Sequence, residues 1–295
     1  MNLLRTAWVV AVAIGCGGGG GGSPDAGPRD MGSGPDAGSD KVVFQGVLVD
    51  FKSKTPKEGV NLLVLNNETG APLDLVQYPQ FKSGAQGRIE LQLPKDILVA
   101  FKAWGKDVSG YWDFKETYLF NVPSDAQQKR IYAVDRLTYN AALSTSFVVE
   151  TDPKTYGHLA GTIYWVNAQG VEEFVGCLRV EVVDADGKVL EEKKDADGRG
   201  IYAAIRYFDT VNDTPTALAN ADMTHLLNSR YLIANLPDGR YTIRAKRVED
   251  GTVLGEISVR AFPGGISVGN FYLTTAEFPV NPTPAREECK GKEPE

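Results

Sequence analysis

Histidine and cysteine are scarce in this chain. Two histidines and three cysteines stand among 295 residues. That scarcity limits zinc, haem and histidine-based catalysis before any motif is sought. His158 and His225 have no cysteine or carboxylate pair beside them in sequence, so neither a metal set nor a Ser-His-Asp set assembles around them. His158 is expected at a strand start and His225 on a helix, both in structural or surface roles. Basic runs are lacking too. The net charge is −7, with 31 Lys and Arg against 38 Asp and Glu spread along the chain. Nucleic acid and anionic headgroups are therefore poor electrostatic partners. After residue 16 no apolar run approaches the ~18–20 residues of a membrane-spanning helix. No cofactor is implied.

What is present begins at the N-terminus. Arg5 supplies a positive start, and Ala7-Trp8-Val9-Val10-Ala11-Val12-Ala13-Ile14 an apolar run of eight. Ala13 and Gly15 are small residues just ahead of Cys16. These are the parts of an export signal. Ala13-Ile14-Gly15-Cys16 resembles the bacterial lipobox. The resemblance implies cleavage before Cys16, a thioether-linked diacylglycerol on its sulfur, and acylation of its new amino group. Several acyl chains on one residue anchor stably, so a membrane is the expected partner. Gly17 stands where an Asp would favour the inner membrane, which implies the outer membrane as location. The alternative is an ordinary secreted chain cut nearby, with Cys16 incidental. Residues 1–15 are read as signal peptide and 16–40 as a lipid-anchored linker. Gly17 to Asp40 is built of Gly, Ser, Pro and Asp, with Pro-Asp-Ala-Gly twice. Such a segment is a hydrated tether with an r.m.s. reach of roughly 25–30 Å.

From Lys41 the pattern changes to short alternating runs. Val43, Val47, Val49 and Phe51 are placed on one strand face, with Gln45 between them. Val60 to Leu65 is apolar on both faces. Ile89, Leu91 and Leu93 alternate inward, and Ile97 to Phe101, Tyr118 to Val122 and Arg130 to Val134 read as further strands. Leu137 to Leu143 suggests a short helix, and Asp152-Pro153 a break. The strand pattern restarts at His158 to Trp165. Cys177 to Val183 puts Leu178, Val180 and Val182 on one face, and Cys177, Arg179 and Glu181 on the polar one. Val189 to Lys193, Ile201 to Phe208, Tyr231 to Ala234, Tyr241 to Lys246, Gly255 to Ala261 and Ile266 to Leu273 complete the strands. Thr214-Pro215 predicts a helix start running to about Asn228, with Thr at the N-cap and Pro at the first position.

The two halves share a signature. Leu93-Pro94 and Leu236-Pro237 each end a strand and are followed by a tight turn and a returning strand. Gly161, Asp195-Ala196-Asp197-Gly198 and Leu236-Pro237-Asp238-Gly239-Arg240-Tyr241 make the second half resemble the carboxypeptidase-regulatory-like and collagen-adhesin B-type families. Gly46, Ala85-Gln86-Gly87 and Leu93-Pro94 carry a weaker match in the first half. The resemblance covers about two-thirds of the processed chain. It implies an all-β fold of two tandem transthyretin-like (Ig-like, prealbumin-like) β-sandwiches, the second with a short helical insertion. The expected limits are 41–136 for the first sandwich, 137–156 for a connector, 157–275 for the second sandwich and 276–295 for a Pro-rich tail. Such motifs concern backbone and are silent on function.

Four groups are candidate sites. Trp104, Tyr111 and Trp112, with Phe114 and Tyr118 nearby, offer aromatic faces for stacking on a sugar or a protein partner; core packing explains the same residues. Asp184, Asp186, Asp195 and Asp197 are candidate Ca²⁺ ligands, but their spacing departs from an EF-hand loop and equally fits two Asp-Gly turns. Cys177 and Cys289 form a candidate disulfide if exported to an oxidising compartment, or remain two thiols. Adhesin resemblance raises a Lys–Asn isopeptide bond; Asn270 lacks a Lys in the first strand of its half, and Lys52 with Asn121 is the candidate pair of the other. The histidine pair and Tyr-Arg-Gly-Ser end of the transthyretin-like hydroxyisourate hydrolases are absent. The expectation is a non-enzymatic lipoprotein presenting binding or structural modules in the envelope, with a polysaccharide or envelope protein as partner. The alternatives are an adhesion module using residues 104–118 and a hydrolase built on unrecognised carboxylate pairs.

Overall fold

A computed structural model of the chain describes residues 40–210, 213–216 and 222–283. Alternating β-branched and aromatic residues make the strands, and Gly, Pro, Asn and Asp make the turns between them. The first half forms β1 (Lys41–Asp50), β2 (Asn61–Asn66), β3 (Phe81–Lys82), β4 (Arg88–Pro94), β5 (Leu98–Lys106), β6 (Asp113–Pro123) and β7 (Lys129–Ala133). A helix, α1 (Arg136–Thr145), follows. The second half begins with β8 (Tyr156–Val166), β9 (Glu172–Phe174), β10 (Leu178–Val183), β11 (Lys193–Lys194), β12 (Gly200–Tyr202) and β13 (Ala204–Phe208). It continues with β14 (Pro215–Thr216), β15 (Arg230–Pro237), β16 (Gly239–Arg247), β17 (Val253–Ala261), β18 (Ile266–Val268) and β19 (Phe271–Thr274).

These strands sort into two sandwiches of equivalent topology. In the first, β1 pairs antiparallel with β4 and parallel with β7. Its facing sheet is the antiparallel set β2, β5 and β6. In the second, β8 pairs antiparallel with β15 and parallel with β18 and β19. Its facing sheet is the antiparallel set β10, β16 and β17. The Leu-Pro signature marks the same event in both lobes. At Pro94 and at Pro237 the chain leaves one sheet and crosses to the facing one, as β5 and as β16. Proline suits that position because a strand end needs no further ladder donor.

The lobes are fused through β18. Ile266, Ser267 and Val268 pair parallel with Thr117, Tyr118 and Leu119 of β6 on one side. On the other they pair parallel with His158, Leu159 and Ala160 of β8. One sheet therefore runs β14-β13-β15-β8-β18-β6-β5-β2-β3, with β9 and β19 also on β8. The sheets joined are not equivalent ones: β18 ties the β2–β5–β6 sheet of the first lobe to the β8–β15 sheet of the second. Gly161 makes the close packing beside it possible. A Cβ there would lie 1.8 Å from the Gly269 carbonyl oxygen and 2.6 Å from the Tyr231 hydroxyl. That hydroxyl donates to the same Gly269 carbonyl at 2.6 Å.

Two cores result from this layout. Phe44, Leu48, Leu62, Phe101, Phe114 and Ile131 lead the first, and Ile163, Leu178, Val182, Tyr231, Ile243 and Phe271 the second. Each such fully buried side chain contributes roughly 1.5–3 kcal/mol. The cores cross the lobe boundary. Tyr118 and Phe120 of β6 belong to the second cluster, where the Phe262 ring stacks on Tyr118 at 4.0 Å. Polar contacts add to this. Asn121 Nδ2 donates to the Ser258 carbonyl at 2.9 Å, and Arg240 pairs with Glu68 at 2.7 Å.

Helix α1 occupies the expected 137–143 position. Asp135 caps it, its Oδ1 accepting from the Leu137 and Thr138 amides at 3.0 Å. Tyr139 and Leu143, one turn apart, are its buried residues. Three expectations need correction. In β1 Val49, and Phe51 just after it, are buried in the first core as expected and Val47 packs against it, but Phe44, Gly46 and Leu48 are buried too and Val43 faces solvent. Gly46 hides this from an apolar count; glycine fits there because a Cβ would meet the Phe44 ring and the Lys129 carbonyl at 2.9 Å. Val189 to Lys193 is strand only at its end, in β11. The helix expected over Thr214–Asn228 is not found among its described residues; residues 217–221 lie outside them. Thr214 Oγ1 bonds the Asp209 carboxylate at 3.1 Å instead of capping, and Pro215–Thr216 pair with Tyr207–Phe208.

A shared sheet and shared cores make the two lobes one cooperative unit. In protein processed before Cys16, Trp104 and Trp112 report on the first lobe and Trp165 on the second. Urea unfolding of Trp165→Phe and of the Trp104→Phe/Trp112→Phe double variant, followed by fluorescence, is expected to give single transitions in each. Circular dichroism on the same samples should trace the same curve as the fluorescence. Separate fluorescence and dichroism midpoints in either variant would show that the lobes unfold independently.

Candidate functional site

The aromatic candidates divide between core and surface. Phe114 and Tyr118 are buried, so they are not part of a surface cluster. Tyr111 and Trp112 sit at the β5–β6 hairpin tip, with ring centroids 5.5 Å apart and edge-on at 79°. Asp107 builds this tip: its amide donates to the Trp112 carbonyl and its Oδ1 accepts from Ser109 Oγ at 2.7 Å. Tyr111 is 77% exposed and Val108 68%. Trp112 is half-buried beneath Lys57, whose ammonium lies 3.5 Å from the indole centroid. Trp104 is not part of this pair. It stands on β5 opposite Asn61, near the Lys102 ammonium at 5.1 Å.

The four aspartates form two Asx turns. Asp184 Oδ1 accepts from the amides of Asp186 and Lys188 at 3.0 and 2.9 Å. Asp195 Oδ1 accepts from those of Asp197 and Arg199 at 3.0 and 2.8 Å. Arg199 also bridges Asp195 and Asp197 at 2.8 and 3.1 Å. Despite the desolvation that opposes it, these amides and the guanidinium hold the Asp195 carboxyl below the usual range. Among the described residues no group of three or more His, Cys, Asp and Glu is placed to hold a metal ion.

Cys177 does not lie on a polar face. It precedes β10 with φ 60, is buried, and packs with Met223. It takes part in a disulfide. The other two cysteines, Cys16 and Cys289, lie outside the described residues. The isopeptide candidates are engaged in hydrogen bonds. Asn121 Oδ1 accepts from Asn67 Nδ2 at 3.1 Å, and Asn270 Oδ1 accepts from the Thr162 amide at 3.0 Å.

The two histidines are structural. His225 is in a turn rather than a helix, its Nδ1 accepting from the Leu227 amide at 2.9 Å. His158 is 2% exposed on β8, edge-on to Tyr139 at 5.4 Å. Its Nδ1 accepts from the Asn235 amide at 3.4 Å. Asn235 in turn sends its Nδ2 to the Val149 carbonyl at 2.7 Å, tying the segment after α1 to β15.

One feature has no motif in the sequence. Between the lobes, beside β18, lies a cleft of about 340 Å³. Its lining includes the apolar Leu98, Leu119 and Ile257 and the polar Lys129, Arg130, Tyr132, Asn270 and Tyr272. These residues come from separate strands and the loop before β19, so no spacing signals them.

No protein-family model matches the sequence, and no curated protein matches it. Among solved structures, the chain is similar to the TIE protein of Bacillus anthracis at 11% identity and a TM-score of 0.23, over 79% of this chain and 34% of that one. It thus spans about a third of the TIE protein's length. It is also similar to the shaft pilin SpaA of Lactobacillus rhamnosus GG (14% identity, TM-score 0.26, 79% of this chain and 98% of the pilin). A minor pilin of Streptococcus agalactiae aligns at 12% identity and a TM-score of 0.27, over 82% and 99%. Scores at this level carry no argument, and the assignment to an all-β, two-sandwich class rests on the strand pairing above.

Burial holds the His158 imidazole at about 4, below its ordinary 6.5, with the Lys115 charge adding to the effect. The unfolded chain therefore binds a proton that the folded chain refuses between pH 6.5 and 4. Stability from this group is complete above pH 6.5 and falls as pH drops to about 4, by on the order of 3 kcal/mol. Unfolding free energies of wild type and His158→Gln across pH 4–8 should differ in slope in that window, the variant's being flatter. Parallel curves would exclude His158 as the source.

Proposed function

We propose that the chain is a lipid-anchored, non-enzymatic module of the cell envelope, carrying binding or structural surfaces on one rigid body at the end of a tether. The observation that carries this reading is the fusion of the lobes: a sheet shared through β18, aromatic packing by Phe262, and polar clamps at Asn121 and Arg240. Side chains of the kind used in catalysis or metal binding, such as His158 and Asp195, are spent on turns and interior contacts. Cys16 and the glycine-rich segment after it support the anchor, and the disulfide at Cys177 fits an exported chain. With Cys16 taken by lipid, Cys289 is the partner left within the chain for Cys177.

Intact mass of membrane-extracted protein tests both modifications together. The expected mass is that of residues 16–295 with a diacylglyceryl group in place of the Cys16 thiol hydrogen and an acyl group in place of one amine hydrogen, less two hydrogens for the disulfide. Cys16→Ser should abolish fatty-acid labelling and release the protein from membranes. A labelled, membrane-bound Cys16→Ser variant would rule the anchor out.

The hairpin tip is the second surface this reading supplies, because Tyr111 and Val108 stand exposed beside a fixed indole. If envelope polysaccharide or protein docks there, adding isolated envelope fractions should shift Trp112 emission in wild type. The shift should be lost in Tyr111→Ala and persist in Trp104→Phe. Equal shifts in wild type and Tyr111→Ala would place any binding elsewhere.

A further inference from the structure

The cleft between the lobes is walled by side chains of two kinds. Leu98, Leu119 and Ile257 are its aliphatic part. Lys129, Asn270 and Tyr272 bring donors to the same lining. Lys129 is half-buried, and its ammonium lies 4.8 Å over the Tyr272 ring rather than against a carboxylate. Arg130 meets Glu172 at 3.7 Å and hydrogen-bonds the Tyr132 hydroxyl. Asn270 turns its Nδ2 toward the Tyr272 hydroxyl at 3.5 Å, a contact too long to use up the donor. The remaining carboxylate, Glu256, is held by Arg244 at 2.6 Å.

We propose that this cleft is a binding site for a small organic carboxylate with a compact apolar body, the carboxylate received by Lys129, Tyr272 and Asn270 and the body lying on Leu98, Leu119 and Ile257. Its volume falls in the range of small-molecule sites, about 300–1,000 Å³. Protonation states agree with this assignment. Tyr132 is pushed up to about 12, first by burial and then by Tyr164 and Glu172 nearby. Tyr272 is raised further, again chiefly by burial with Tyr132 beside it. Both phenols therefore keep their protons at neutral pH and act as donors. Burial lowers the Lys129 ammonium from its ordinary value, with Glu172 opposing the change. A partly desolvated cation with no carboxylate in direct contact gains from an arriving anion. The floor is rigid as well: Tyr164 stacks on Tyr272 at 5.7 Å, so the hydroxyl is presented at a fixed place.

This site is separate from the anchor and from the hairpin tip, and it stands or falls without them, since the test uses purified processed protein in solution. Isothermal titration with benzoate, benzyl alcohol and inorganic phosphate reads the two parts of the proposal. Benzoate should bind saturably, and more tightly than either the neutral alcohol or the bodiless anion. Lys129→Met should weaken benzoate about tenfold, the loss of one charged hydrogen bond. Tyr272→Phe keeps the ring stack and so the fold, and should weaken it by a smaller factor. Raising salt should weaken binding to wild type more than to Lys129→Met. The proposal is overturned if benzoate fails to bind below about 10 mM. It is equally overturned if benzyl alcohol or phosphate matches benzoate, or if Lys129→Met and Tyr272→Phe both bind as wild type does.

Discussion

Three residues, Ile266 to Val268, hold this molecule together. A strand paired on both edges has its backbone donors and acceptors taken up by its neighbours, and here the neighbours belong to different lobes. The parallel arrangement on each side means that β6, β18 and β8 run the same way, so side chains along the seam continue from one core to the other. The pairing would be weak alone. It is backed by Gly161 against Gly269, by the Tyr231 hydroxyl on the same carbonyl, and by Phe262 reaching over Tyr118. Removing the seam would expose two sheet edges and open both cores.

Much of the fold was legible because strand alternation and turn chemistry are local. β4 and β10 bury Ile89, Leu93, Leu178, Val180 and Val182 as their pattern requires. The Leu-Pro signature was also readable, although its meaning as a crossing between sheets needed the topology. What stayed hidden was non-local or carried by residues that do not look apolar. Phe44, Gly46 and Leu48 are buried in β1 beside Val49, and the glycine among them adds no hydrophobicity to signal it. Ile266 to Leu273 reads as a single strand, yet Gly269 and Asn270 divide it between the seam and β19. Thr214-Pro215 has the composition of a helix start, but Asp209 takes the threonine hydroxyl, and Pro215 and Thr216 join the strand ladder.

The candidate surfaces divide along the same line. Tyr111 and Trp112 were visible as an aromatic-rich stretch, and burial then removed Phe114 and Tyr118 from it. The cleft was invisible, since Leu98, Lys129, Ile257 and Tyr272 meet only when the lobes do. Its contents nevertheless obey ordinary rules: polar donors such as Lys129 and Asn270 and aliphatic side chains such as Leu98 and Ile257 line one space. The aspartates and His158 show the opposite case, chemically suggestive residues whose hydrogen bonds are already used by the backbone around them.

A sheet this wide raises a problem of its own, because any long sheet with open margins can recruit another copy of itself. Both margins here are blunt. At one end β3 is two residues long and carries Lys82; at the other β14 is two residues long and begins with Pro215, which has no amide hydrogen to offer. Neither presents the flat run of unpaired groups on which a second molecule could extend the ladder. The arrangement that lets one chain weld two sandwiches edge to edge is thereby confined to that chain. Copies crowded together can touch through their loops and faces, but the two described margins give them little on which to zip into fibres.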